Sequence, residues 1–398
     1  MKRKNLFILA LFAIFIACGE SDKEPQFKKT ATSSKIIAAN NDFAFTLFKE
    51  ISAEEKENYM VSPVSLSLAM GMLYNGSNGV TSDIMSEGLG YKNLDIKGLS
   101  QINKNIIDNL VSDQLKIANS NWIREGFEVK QDFINLNKEY YYAEVKTEDF
   151  GNPNTIEKMN DWASDNTNQK IKEIITEIPG NAIMYLMNAI YFNADWEFEF
   201  KEENTHESEF YPENSQRKMV DMMHMKTDKI NYLKNDLFSS VVLPYKNEKF
   251  SMTILLPNDD KSTDDIVENL SSSTWENWQN NYEKTELNLS LPKFKFQYEN
   301  TLNDELINMG FGNLFGNPDL TGIADARLKI SKVLQKTFVD VNEIGTEAAA
   351  VTIIGIEVTS LPIIPQVNCD KPFLFVISEK NTNSICFIGK VGNPEYSE

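Results

Sequence analysis

Residues 345–360 read GTEAAAVTIIGIEVTS, a stretch with no proline, lysine or arginine. In an extended chain successive side chains point to opposite faces. One face then carries Thr346, Ala348, Ala350, Thr352, Ile354, Ile356 and Val358, uncharged throughout and growing from small to branched. The other carries Glu347 and Glu357 among Gly345, Ala349, Val351, Ile353 and Gly355. Proline, which bars a central strand, first follows at Pro362. The plainer reading of such a ribbon is one more core strand. The sharper reading is a strand in waiting, an exposed loop that enters a sheet once it is released.

The rest of the chain sets limits on both readings. A sequence of 398 residues that is 41% apolar and 24% charged falls outside the fibrous, low-complexity and disordered classes. No repeat of 20–50 residues is visible, and no Gly/Ser/Pro linker divides residues 36–394, which implies one large domain. With 39 Lys+Arg against 58 Asp+Glu the net charge is −19, which disfavours a nucleic-acid partner. Three cysteines exclude a disulfide scaffold. The only two histidines, His206 and His224, fit no metal spacing, and there is no Gly-rich phosphate loop, so neither a metal nor a cofactor is expected. A lipid-anchored hydrolase is the enzyme reading to weigh, but no Gly-x-Ser-x-Gly elbow occurs.

The N-terminus is basic (MKRKN), then apolar (LFILALFAIFIA), then reaches Cys18 after Ile16-Ala17. This pattern describes a secretory signal over residues 1–17, with an apolar run too short to span a bilayer. Cys18 resembles the lipidated first residue of a bacterial lipoprotein, although Phe15 stands where Leu is usual. Residues 18–35 are expected to be a lipidated cysteine and a polar tether. The acidic Ser21-Asp22-Lys23-Glu24 resembles surface-export signals of some Gram-negative lipoproteins. The expected location is therefore the outer membrane, through a lipid anchor, on the periplasmic or outward side. The remaining Cys369 and Cys386 are expected to be unpaired core thiols.

Helix signals dominate the first third. Ser62 suits an N-cap and Pro63 a first helical position, opening a helix that ends near Asn75-Gly76. Further helical patterns lie at 81–89, 98–112 and 155–168. Residues 115–123 and 182–192 read as strands covered on both faces, and 241–256 and 372–391 as hairpins. Helices early and strands late point to an α+β domain built on large sheets.

An ordered set of motifs across residues 36–395 resembles the serpin family. It begins with Asn41-Asp42-Phe43-Ala44-Phe45, Val61-Ser62-Pro63-Val64-Ser65, Asn188-Ala189-Ile190-Tyr191-Phe192 and Trp196. It continues with Leu291-Pro292-Lys293-Phe294, Asp340-Val341-Asn342-Glu343, Lys371-Pro372-Phe373 and Phe387-Ile388-Gly389-Lys390-Val391. The hinge Glu343-Ile344-Gly345-Thr346-Glu347-Ala348-Ala349-Ala350 matches the segment before the family's reactive loop. The resemblance implies helices around three β-sheets with an exposed reactive-centre loop, in a domain over 36–398.

It also implies a suicide inhibitor and not an enzyme. The target protease cuts the loop, forms its acyl-enzyme, and is carried away as the freed loop becomes a strand. The expected partner is thus a protease in covalent complex, with the inhibitor itself a monomer. By resemblance Lys293 pairs with Glu343 at the top of the sheet, Trp196 is buried near the insertion point, and Ser62, Ser65 and Asn188 belong to the region that opens. Gln335 stands where that region usually has a histidine. Counting from Gly345 places the bait bond at Thr359-Ser360; counting back from Lys371-Pro372-Phe373 favours Leu361-Pro362. Proline after the cut hinders protease binding, so Thr359 is preferred, with Val358, Leu361 and Glu357 as alternatives. The loop has no Arg or Lys, which points to elastase-like or subtilisin-like targets. The alternative is a non-inhibitory serpin acting as a surface binding protein.

Overall fold

The computed structural model describes residues 29–92, 94–213, 215–346 and 364–397. The expectations for Cys18, for Glu347, Ala348, Ala349 and Ala350, and for Glu357, Val358, Thr359, Ser360 and Leu361 lie outside the described residues.

The first helix, α1 (Ala31–Glu54), starts inside the segment expected to be tether. Thr30 and Ser33 form a reciprocal capping box, which satisfies two free amides and moves the boundary back from residue 36. A short strand, β1 (Tyr59–Val61), leads to α2 (Pro63–Tyr74), where Ser62 Oγ accepts from the Ser65 amide as expected. Every residue of α2 except Ala69 is buried, and its small side chains allow close approach. A Cβ on Gly71 would lie 2.7 Å from the Tyr141 hydroxyl.

Next come α3 (Gly79–Gly88), α4 (Ile96–Leu110), β2 (Leu115–Arg124), α5 (Gln131–Tyr141), β3 (Glu144–Glu148), α6 (Asn154–Asn166) and β4 (Met184–Phe192). After Asn193 the chain continues as β5 (Ala194–Asp195), β6 (Thr205–Phe210), β7 (Lys218–Thr227), β8 (Asn231–Lys234), β9 (Phe238–Pro244) and β10 (Phe250–Pro257). Two short helices, α7 (Thr263–Glu268) and α8 (Ser272–Gln279), precede β11 (Glu283–Lys284), β12 (Leu287–Pro292) and β13 (Phe294–Thr301). The last elements are α9 (Asn303–Leu306), β14 (Leu334–Val341), β15 (Gly345–Thr346), β16 (Gln366–Asn368), β17 (Phe373–Glu379) and β18 (Ile385–Val391).

Both expected hairpins form, β9 with β10 and β17 with β18. They join in a seven-stranded sheet of order β1-β18-β17-β10-β9-β8-β11. Its strands β17 and β18 are buried at every position, the continuous apolar pattern of a sheet covered on both faces. A second sheet has the order β16-β12-β7-β6. Two further groups, β3-β2-β4 and β13-β14-β15-β5, are halves of a third layer, because the chain runs from β4 into β5 through a single residue. One large core ties α1, α2 and the sheets together, and a smaller cluster around Trp122, Met159 and Trp162 lies under α6.

Candidate functional site

The two halves of the third layer meet at one end only. There β15 pairs with β14 (Val341 opposite Thr346) and with β5 (Gly345 opposite Asp195, Thr346 opposite Ala194). Below that bridge β4 and β14 share no ladder among the described residues. Between them lies a cleft of 640 Å³ lined by Leu186 and Asn188 of β4, Leu334 and Gln335 of β14, and Ser65 and Ala69 of α2. The strand β15 is antiparallel to both neighbours at its pairing points, so its direction leads into the cleft.

The base of β15 is held tightly. Gly345 is a requirement of packing: a Cβ there would lie 2.3 Å from the Ala194 carbonyl oxygen. The Ile344 carbonyl accepts from the Trp196 amide at 2.7 Å, and the Glu343 carbonyl accepts from the Phe200 amide at 2.9 Å. The Trp196 indole N–H donates to the Asn342 carbonyl at 3.0 Å, and its ring stacks on Tyr245 with centroids 4.5 Å apart. Tyr245 and Thr346 share a buried hydroxyl–hydroxyl hydrogen bond of 2.8 Å. Burial pushes the Tyr245 phenol well above its usual range, so it stays neutral.

Lys293 and Glu343, expected to pair, do so at 3.2 Å, with side chains only 17% and 9% exposed. Thr205 Oγ1 donates to the other Glu343 oxygen at 2.8 Å. A second pair, Lys295 of β13 with Asp340 of β14 at 3.2 Å, lies next to it on the adjoining ladder.

Lower down, each lip of the cleft is tied to α2. The Ser62 amide donates to Gln335 Oε1, and Gln335 Nε2 donates back to the Ser62 carbonyl, both at 2.9 Å. On the other lip Ser65 Oγ donates to Asn188 Oδ1, and Asn188 Nδ2 donates to Asn119 Oδ1 at 2.7 Å. The cleft therefore sits over a polar floor in which serine, asparagine and glutamine bond to one another.

Sequence reading singled out Ser62, Ser65, Asn188, Trp196, Lys293, Gln335, Glu343, Gly345 and Thr346, and all of them lie along this seam. It missed Asn119, Tyr245 and Thr205, whose roles depend on strand pairing and leave no local signal. The histidines come together as no spacing suggested: His206 on β6 and His224 on β7 have ring centroids 5.7 Å apart. Among the described residues no group of three or more His, Cys, Asp or Glu is placed to hold a metal. Cys369 and Cys386 are buried free thiols. No helix among the described residues is long and apolar enough to cross a membrane.

Helices packed around three sheet layers, one of them split below the short strand β15, define a class of fold. Comparison with known proteins gives the same class. The family model for serpins (serine protease inhibitors) matches residues 38–394, and the chain belongs to the serpin family. It is 34% identical over 380 residues to an uncharacterized serpin-like protein of Methanosarcina acetivorans, covering 91% of this chain and 89% of the relative. It is 33% identical over 393 residues to human Serpin B4, covering 91% of this chain and 100% of the relative. Among solved structures, the thermophilic serpin Tengpin in the native state superposes with a TM-score of 0.84 at 31% identity, covering 92% and 95% of the two chains. Thyroxine-binding globulin in complex with thyroxine gives a TM-score of 0.81 at 27% identity, covering 91% and 100%. Serpins are generally protease inhibitors that form complexes with their targets.

Proposed function

We propose that this serpin inhibits its target protease as a suicide substrate, and that residues after Thr346 enter the β4–β14 cleft when the loop is cut. The observation that carries this reading is the direction of β15. A strand continuing it lies antiparallel to β4 on one side and β14 on the other, which gives every new backbone amide and carbonyl a partner. Extending the β14–β15 register places residue 352 opposite Gln335. Extending the β5–β15 register through Asn193 places the same residue opposite Asn188. Thr352 would thus arrive between the two lips, with a hydroxyl to offer their amides. The uncharged face of Thr346, Ala348 and Ala350 is the one that packs inward, at no cost for buried charge.

The reactive bond in this reading is Thr359–Ser360. The protease's nucleophile attacks the Thr359 carbonyl, an ester to the enzyme forms as the peptide bond breaks, and the Ser360 amine leaves with a proton. Insertion then drags the acylated enzyme along before water completes hydrolysis. The intact fold is held by a barrier, so its persistence is a rate. Small and branched residues around the bond favour an elastase-like or subtilisin-like enzyme. The lipoprotein-type N-terminus supports an anchor at Cys18 and an extracytoplasmic site of action.

Incubation with pancreatic elastase and with subtilisin tests the reading. Trapping gives an SDS-stable complex and releases a C-terminal peptide whose mass begins at Ser360. Cleavage without complex would sink it in favour of the non-inhibitory alternative.

A further inference from the structure

The family match ends at residue 394, and the residues after it reach the Lys293–Glu343 pair from the outer edge of the layer. The tail is first fixed at Asn58, whose side chain accepts from the Gly392 and Asn393 amides at 3.0 and 2.9 Å and donates to the Asn393 carbonyl at 2.7 Å. It then crosses the outer edge of β13, the terminal strand of its group. The Lys295 amide donates to the Glu395 carbonyl at 2.8 Å, and Lys295 Nζ donates to the Ser397 carbonyl at 3.3 Å. Between these contacts the Tyr396 ring lies over two ammonium groups, Lys293 at 4.3 Å and Lys295 at 5.8 Å from its centroid. Those are the lysines that pair with Glu343 and Asp340.

We propose that residues 395–397 are a strap that holds the intact protein in its uninserted form, with Tyr396 as the positioning residue for Lys293. The ring presents its negative face to the ammonium, while Glu343 holds it from elsewhere. Lys293 is thereby kept beside Glu343 at the base of β15, and Lys295 beside Asp340 of β14, from an edge the β-ladder leaves open. Entry of a strand beyond Thr346 requires the β4 and β14 lips to separate, and this shifts β14 with the ion pairs it makes to β13. A strap across β13 resists that shift in the intact form. Once the cleft is filled, the sheet is held by its own ladder and the strap adds little. The proposal deepens the inhibitor reading and rests on it for the event that is delayed.

The test measures the rate at which native protein unfolds in fixed urea, followed by tryptophan fluorescence, for the full chain and for Tyr396→Ala, Tyr396→Leu, Tyr396→Phe and a chain ending at Pro394. Loss of the ring is expected to speed decay roughly 2- to 30-fold in the Ala, Leu and truncated forms. Tyr396→Phe keeps the aromatic face but loses the hydroxyl beside Asp340 and Asn342, so it should decay more slowly than the Leu form. After loop cleavage all of them should resist urea alike. Tyr396→Leu at the parental rate would overturn the proposal by assigning the effect to apolar packing. Equal weakening of intact and cleaved forms would overturn it too, since the tail would then be a general brace. Should the Ala form fail to fold, the Leu and Phe forms still decide. The rates of the intact forms need no protease. Expected rates without trapping would refute the inhibitor reading alone, and unchanged rates with trapping would refute the strap alone.

Discussion

Gln335 of β14 and Ser62 at the start of α2 exchange two hydrogen bonds of 2.9 Å across a sequence separation of 273 residues. This pair latches one lip of the cleft to the helix beneath it. Gln335 stands where the resemblance leads one to expect a histidine. An amide reproduces the donor and acceptor of a neutral imidazole and carries no titratable proton.

Replacing Gln335 with Ala takes the partner from the Ser62 amide and leaves the Ser62 carbonyl only the Leu66 amide, at a cost of about 1–3 kcal/mol. The urea midpoint of the intact protein should fall accordingly. Gln335→His should instead give a midpoint that varies with pH near neutrality, where the parent's does not respond through this site. A midpoint unchanged in the Ala form would show that the latch carries no load.

Thr346 is 4% exposed and bonded to Tyr245. Thr346 is thus already in the sheet of the intact protein, and the next position on the same face, 348, is the first that the proposed insertion would bury, so Ala348→Arg would require a guanidinium to enter the cleft. The variant is expected to be cut by the target protease with little or no SDS-stable complex, read as the ratio of complex to cleaved band on a gel. Complex at the parental ratio would refute the insertion argument at its first step.

Burial holds the His224 imidazole below its usual pKa, and His206 beside it adds to the effect. The folded-state value is depressed, so the unfolded chain takes up protons first as the pH falls below its own value of about 6.5. Stability is therefore full above that pH and declines through more acidic values. Urea midpoints between about pH 7.5 and 5.5 should fall less steeply in His224→Gln than in the parent. Identical slopes would remove His224 from the account.

The thiols of Cys369 and Cys386 are buried, and burial raises both well above their usual pKa. Neither forms a thiolate at neutral pH, so both should resist iodoacetamide in the native protein and react in urea. Peptide mass mapping of the two sites checks this; native labelling of either would mean that its cover opens readily.

Much of the fold was legible because its signals are local. Ser62-Pro63 starts α2 as its cap chemistry requires, and the paired apolar runs in 241–256 and 372–391 give two real hairpins. The start of α1 was placed late because Thr30 and Ser33 look like tether residues until their reciprocal cap is seen. Leu287–Pro292 and Phe294–Thr301 follow one another almost without a break in the sequence, yet Lys293 divides them between two sheets. Lys293 with Glu343 was reached only through family resemblance, since 50 positions separate them in the sequence.

The amino-acid order alone settled the family, the helix starts, the apolar strands and the one-sided ribbon beyond Gly345, because each depends on neighbours or on a periodic pattern. Three-dimensional packing alone decided that β4 and β14 part below a two-residue bridge, that Gln335 and Asn188 are tied to α2 on opposite lips, and that Tyr396 lies on Lys293. These contacts follow from strand pairing between distant segments. A register is set by the whole sheet at once, so no short stretch of sequence records it.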